Sequence, residues 1–114
     1  MKKKTVFITG TTGSMGSAGL KILLERRDRF NIVTLVRPSE KNRKIMRPYA
    51  TESGLRIVWG DLTNYEDVLA CVTGADIVLH PAAMIAPEAD HDPVLARKIN
   101  VGSIENILRA IKAQ

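Results

Sequence analysis

The fold of this chain is decided by residues 9–16, which read Thr9-Gly10-Thr11-Thr12-Gly13-Ser14-Met15-Gly16. A β-branched run over residues 4–9 leads into this stretch, and a segment with helical spacing follows it. Gly10 permits a tight strand-to-helix turn that side chains forbid, while Gly13 and Gly16 allow close approach of the backbone. Because a helix N-terminus offers unpaired N–H groups and a partial positive charge, the stretch predicts a pyrophosphate-binding loop.

Short β-branched runs alternate with helical segments along the chain, which favours a parallel sheet flanked by helices. We expect strands over residues 4–9, 32–36, 56–59 and 76–80. The first helix is expected to begin near Ser14. Its residues Gly16, Leu20 and Leu23 are spaced by four and three, so they form one face that can lie on the sheet.

The later helices carry their own end signals. Asn64 is the expected N-cap of a helix that ends at Gly74, and Asp92 is the expected N-cap of a last helix with Pro93 in its first position. The sequence thus predicts one domain over residues 1–114. Its expected architecture is a Rossmann-like, three-layer α/β fold with about four parallel strands in the order 3-2-1-4, truncated before a fifth strand.

The composition, 45% hydrophobic and 25% charged, is that of an ordinary globular protein. No apolar stretch approaches the roughly 18 residues that a membrane span needs, and the apolar run behind the first lysines is too short for an export signal. We therefore expect a cytoplasmic protein. The one cysteine, Cys71, excludes an intramolecular disulfide and falls in a segment expected to be a buried helix.

The formal net charge is +5, and much of the basic excess lies in one segment. That segment contains Arg37, Lys41, Arg43, Lys44 and Arg47. Such a patch can attract phosphate-bearing partners, but only 4% of the residues are aromatic, which gives base stacking little support. A bound nucleotide phosphate is therefore preferred to a nucleic acid, and a merely solvated loop is the alternative.

The spacing Gly-x-x-Gly-x-x-Gly directly after Thr9 resembles the extended short-chain dehydrogenase/reductases, the epimerase/dehydratase group. No Gly-Lys-Ser/Thr follows at the distance that a P-loop requires. The resemblance implies a nicotinamide dinucleotide cofactor whose pyrophosphate lies on the glycine loop. The loop residues expected to contact it are Gly10, Thr12, Gly13, Ser14, Met15 and Gly16.

The end of the second strand indicates which dinucleotide is bound. Rossmann proteins place an acidic residue about 20 positions past the glycines for the ribose hydroxyl, whereas an arginine nearby suits a 2′-phosphate. This sequence has Arg37 there, followed by Lys41. We expect NADP in preference to NAD; the alternative is that Arg37 stacks on the adenine ring.

Two further segments match the family after the third and fourth strands. The resemblance implies that Asp61 accepts a hydrogen bond from the adenine amino group and that Leu62 packs on the ring; a turn or capping aspartate is the alternative. After the fourth strand, Ala82 and Ala83 match the small residues that line the ribose and nicotinamide, and His80 lies beside them. His80 is counted with them among the expected cofactor contacts, and a structural role is preferred for it to a catalytic one.

On the last helix, Asn100, Ile104, Ile107 and Ile111 are expected to share one stripe by helical spacing. The resemblance gives Asn100 a role in supporting the active site and the cofactor. The alternative is an asparagine whose hydrogen bonds are satisfied by the preceding loop.

The catalytic pair of the family, a tyrosine with a lysine four residues later, does not occur in this sequence. Tyr49 is followed at that distance by Ser53, and Tyr65 by Leu69. We therefore expect the NAD(P)-binding part of an oxidoreductase, epimerase or dehydratase acting on a sugar-nucleotide or carbonyl substrate, a fragment that is inactive alone. A non-catalytic NADP(H) sensor of the same fold is the alternative.

Two expectations concern metals and partners. The run Asp90-His91-Asp92 is not expected to hold a metal, because three adjacent loop residues cannot easily converge on one ion. The fourth strand is expected to leave an apolar edge that favours a homodimer or a larger assembly. The small-molecule substrate belongs to a longer parent protein, and neither a nucleic acid nor a membrane is an expected partner.

Overall fold

The computed structural model describes residues 3–81 and 93–114, which form one four-stranded parallel sheet flanked by helices. The strands are β1 Lys4–Ile8, β2 Phe30–Val36, β3 Leu55–Trp59 and β4 Ile77–Leu79. The helices are α1 Ser14–Glu25, α2 Glu40–Met46, α3 Tyr65–Val72 and α4 Pro93–Lys112, with a short 3-10 turn at Arg47–Tyr49. The strand order is β3-β2-β1-β4, so the predicted fold and order are confirmed.

The strand ends differ by a few residues from the sequence prediction. β1 ends at Ile8, β2 already begins at Phe30 and β3 at Leu55, and β4 is shorter than expected at Ile77–Leu79. Strand ends are set by the pairing of neighbouring strands, which local sequence does not reveal. In register, Val6 of β1 lies between Ile32 of β2 and Ile77 of β4.

Alternation along the strands divides the core into two layers. On one face of the sheet, Val6, Ile8 and Ile32 pack with α1 and α2. On the other face, Phe7 and Val33 pack with α3 and α4. A strand that is buried on both faces of a sheet carries apolar residues without alternation. This explains why β2 is buried over its last five residues, 32–36.

Helix α2 is the element that the sequence prediction missed, because the basic segment was considered only as a loop. The hydroxyl of Ser39 caps the helix by accepting a hydrogen bond from the Asn42 N–H at 3.0 Å. Met46 is its one fully buried residue. With so little buried surface, α2 lacks the apolar periodicity by which a helix is found in a sequence.

The expected apolar stripe of α4 is wrong in part. Ile107 is buried, but Ile104 and Ile111 are 47% and 43% exposed. The buried face is instead completed by Ser103 and Ala110, whose small side chains allow α4 to approach its neighbours closely. In the described ranges, no helix has the combination of length and apolar composition that crossing a bilayer requires.

Gly19, inside α1, has a packing explanation. A Cβ built on Gly19 lies 3.1 Å from Cδ1 of Ile8 in β1, tighter than an ordinary contact. Close packing of α1 on the central strand therefore accounts for a glycine that weakens helix propensity.

Candidate dinucleotide site

The glycine loop between β1 and α1 has the strained geometry that its sequence predicts. Gly10 has a φ of 67°, in the left-handed region, and its carbonyl accepts a hydrogen bond from the Gly13 N–H at 3.0 Å. A Cβ on Gly16 would lie 1.9 Å from the Gly10 oxygen. Gly16 thus has no room for a side chain, and α1 begins directly against the turn.

The start of α1 presents free hydrogen-bond donors. The first helical bond runs from the Ser17 N–H to the Gly13 carbonyl at 2.9 Å, so the N–H groups of Ser14, Met15 and Gly16 have no acceptor within the helix. No acidic side chain lies in this first turn, and its N-cap, Gly13, has no side chain that could occupy the donors. The residues present therefore fit a pyrophosphate, which suits both the free donors and the helix dipole.

The loop side chains divide into two groups. Gly13, Ser14 and Met15 are exposed, Met15 by 75%, and Thr12 is half-buried. Thr11, in contrast, is buried in the core. The exposed members lie at the end of the sheet where a ligand can reach them.

The loop after β2 holds two exposed cations. Arg37 and Lys41 are both exposed, and neither forms an ion pair with another residue in the described ranges. The Arg37 carbonyl accepts a hydrogen bond from Asn42 Nδ2 at 2.8 Å. Asn42 therefore fixes the backbone at Arg37 while the guanidinium remains available to an anion.

Asp61 and Leu62 form an ordered turn after β3. Oδ1 of Asp61 accepts hydrogen bonds from the N–H and the hydroxyl of Thr63, at 2.9 and 2.8 Å. The Leu62 carbonyl accepts one from Asn106 Nδ2 of α4 at 2.9 Å. The turn function of Asp61 is thus present in the structure, and among the described residues its second carboxylate oxygen accepts no hydrogen bond.

His80, which follows β4, is linked to the end of β1. Its Nδ1 lies 2.8 Å from the Thr9 hydroxyl, and burial lowers the pKa of the imidazole below its ordinary value. Both features suit a structural histidine that is neutral at pH 7. Asn100 is half-buried on α4, on the same side as Ser103. The expected contacts Ala82 and Ala83 lie outside the described residues, as does the run Asp90-His91-Asp92.

Because the strands are parallel, the residues that follow β1, β2 and β3, and His80 after β4, lie at the same carboxyl-terminal end of the sheet. The described residues that the sequence predicted for the site in these loops are therefore at this end. The strands β2 and β3 follow one another on one side of β1, and the chain then returns to place β4 on the other side of β1. In open α/β sheets, the crevice at such a reversal of strand order is where ligands bind.

Sequence reasoning missed several residues that shape this edge. These residues are Thr34, Ser39, Asn42 and Asn106. A capping signal, serine before a polar segment of helical composition, could have identified Ser39. The other contacts join distant parts of the chain, and no local spacing marks them.

Cys71 is buried on α3 as expected, and burial raises the pKa of its thiol to about 11. Its thiol is therefore protonated at neutral pH and packs as a small apolar group.

Comparison with known proteins shows which family this chain resembles in sequence and in structure. The chain is 36% identical over 111 residues to UDP-glucose 4-epimerase of Rickettsia canadensis, an alignment that covers 94% of this chain and 32% of that enzyme. Pen from Bacillus thuringiensis has a similar structure, with a TM-score of 0.84 and 26% identity over 99% of this chain and 35% of that one. The chain spans about a third of the length of these relatives.

A third similar protein was solved with a dinucleotide. It is the Bordetella bronchiseptica enzyme WbmH in complex with NAD⁺, with a TM-score of 0.76 and 25% identity over 98% of this chain and 36% of that one. Residues 6–114 match the sequence profile of a single family. The chain therefore belongs to the NAD dependent epimerase/dehydratase family.

Proposed function

We propose that this chain binds NADP(H) as the dinucleotide-binding part of an epimerase, dehydratase or reductase that acts on a sugar-nucleotide or carbonyl substrate. The observation that supports this most strongly is the combination of free N–H groups at the start of α1 with the exposed Arg37 at the end of β2. The first suits a pyrophosphate and the second a 2′-phosphate.

The preference for the phosphorylated cofactor rests on charge. An acidic residue at the end of β2 would repel a 2′-phosphate, whereas a guanidinium can bind it through two parallel hydrogen bonds. Arg37 directly follows the last residue of β2, and Lys41 is the second residue of α2. The similar enzyme WbmH was solved with NAD⁺, so a preference for NADP would distinguish this chain from that relative.

The substitution Arg37→Ala tests the cofactor preference. A charge-assisted hydrogen bond contributes about 1.5–3 kcal/mol, so NADPH affinity is expected to fall by about tenfold or more while NADH affinity stays the same. Isothermal titration of both nucleotides measures this. Arg29→Ala, an exposed arginine just before β2 at the opposite end of the sheet, serves as the matched control. Equal losses for both nucleotides would contradict a 2′-phosphate contact.

We further propose that these 114 residues bind the cofactor without catalysing turnover, since neither tyrosine precedes a lysine by four residues. When bound, a nicotinamide cofactor supplies hydride transfer; this chain supplies binding and orientation. The same absence suits a non-catalytic NADP(H) sensor, which is the alternative. Incubation with UDP-glucose and either cofactor, followed by product analysis, is expected to show no conversion. Conversion that co-purifies with the chain through successive columns would overturn this.

A further inference from the structure

Thr11 differs from the rest of the glycine loop because its side chain points into the core. It is 1% exposed, although it lies between Gly10 and Thr12 in the loop that faces the ligand. Its Oγ1 lies 2.9 Å from Oγ1 of Thr34, on the central part of β2, and 3.9 Å from Sδ of Met46, on α2. All three side chains are buried, so this is an internal contact among three elements.

The two contacts are compatible with each other. Either hydroxyl can donate in the Thr11–Thr34 bond, and when Thr34 donates, the Thr11 hydroxyl can donate to Met46 Sδ, so that both hydroxyl groups have a partner. A buried hydroxyl without a partner is costly, so the pair holds its two backbones at a defined separation. The neighbouring residues on this face are apolar, and within the described ranges Thr11 and Thr34 pair with each other.

This contact joins the two halves of the candidate site. Thr11 belongs to the loop proposed for the pyrophosphate, Thr34 is three residues before Arg37, and Met46 ends the helix that carries Lys41. A displacement of Thr11 relative to β2 and α2 therefore changes the spacing between the phosphate loop and the two cations.

We propose that Thr11 is a positioning residue, whose hydroxyl sets the distance between the phosphate loop and the cations after β2 and thereby controls dinucleotide affinity. This inference rests on the proposed dinucleotide binding. It assigns Thr11 no contact with the ligand.

Valine substitutions separate positioning from simple stability. Thr11→Val leaves the buried Thr34 hydroxyl without its partner, and Thr34→Val leaves the Thr11 hydroxyl with only the long contact to Met46 Sδ, so each single variant lowers the Tm. The double variant removes both hydroxyls and recovers much of the Tm. Two methyl carbons need about 3.5–4.0 Å, compared with 2.9 Å between the oxygens, so the double variant moves the loop outward. We expect NADPH affinity at least fivefold below wild type in all three variants.

Two controls complete the experiment. Thr11→Ser keeps the hydroxyl and is expected to bind NADPH like wild type, and Thr51→Val, at an exposed threonine away from the loop, is expected to change neither Tm nor affinity. A double variant that folds and binds NADPH as tightly as wild type would overturn the positioning role alone. If wild type binds neither NADPH nor NADH, the proposed function itself fails, and the inference with it.

Discussion

At the scale of single residues, the three loop glycines are not equivalent. Gly10 is needed for its left-handed backbone and Gly16 for space, while a Cβ on Gly13 meets only the Gly10 oxygen at an ordinary 3.5 Å. The sequence spacing predicted the loop, but it could not rank the glycines, because the clash at Gly16 depends on how α1 lies against the turn.

Gly16→Ala is expected to damage both stability and binding. Its Cβ would fall 1.9 Å from the Gly10 oxygen, so α1 or the turn must shift, at a cost of about 1–3 kcal/mol in the free energy of unfolding. Denaturant unfolding and NADPH titration measure the two effects.

The matched control is Gly102→Ala in α4, where an added Cβ meets no described residue within 4 Å apart from its chain neighbours and the adjacent backbone of its own helix. Because alanine favours a helix over glycine, this variant is expected to gain up to about 1 kcal/mol. A Gly16→Ala protein as stable as wild type would show that the close approach is not required.

At the scale of elements, the helices show where sequence patterns succeed and fail. α1 and α3 were predicted from apolar spacing and from the cap at Asn64, whose Oδ1 accepts from the Asp67 N–H at 3.2 Å. α2 was missed because it buries little besides Met46. α4 was placed correctly, but its buried face only in part: Ile107 packs inward as expected, together with the small residues Ser103 and Ala110, whereas Ile104 and Ile111 are exposed.

The buried face of α4 contains an unsatisfied polar group, the hydroxyl of Ser103, which has no hydrogen-bond partner within the described ranges. Ser103→Ala removes this hydroxyl and is expected to stabilise the fold by about 1 kcal/mol, measured by urea unfolding. The reverse change on the same face, Ala110→Ser, is expected to destabilise it by a similar amount. A loss of stability in Ser103→Ala would mean that the hydroxyl has a partner, such as a bound water.

At the scale of the whole molecule, the order β3-β2-β1-β4 was predictable because the return of the chain after β3 to the other side of β1 is a property of the Rossmann fold and not of any one segment. Contacts between loops were not predictable. The Thr9–His80 pair joins the residues that directly follow β1 and β4, and the Thr11–Thr34 pair joins the glycine loop to β2, so both pairs exist only once the sheet has formed.

The free edge of β4 leads to a prediction about assembly. Ile77 and Leu79 are 37% and 42% exposed, whereas Val6 and Ile8, their partners in register on β1, are buried. Among the described residues, β4 pairs with β1 and has no strand on its other side. An apolar edge strand of this kind favours pairing with another chain, so we predict that this chain forms dimers or larger assemblies through β4.

Light scattering across a concentration series measures this assembly. The double variant Ile77→Lys with Leu79→Lys is expected to be more monomeric than wild type, and Ile22→Lys, at an exposed position on α1, is the control. A wild-type chain that remains monomeric at high concentration would contradict the prediction.

The central claim is that this chain is an NADP-preferring dinucleotide-binding domain, and the most direct test is titration of the wild-type chain with NADPH and NADH at low and high salt. We predict that NADPH binds about tenfold or more tightly than NADH, and that the difference shrinks as salt screens the phosphate from Arg37 and Lys41. NADH binding as tight as NADPH, or tighter, would contradict the assigned preference, and binding of neither would contradict the dinucleotide site.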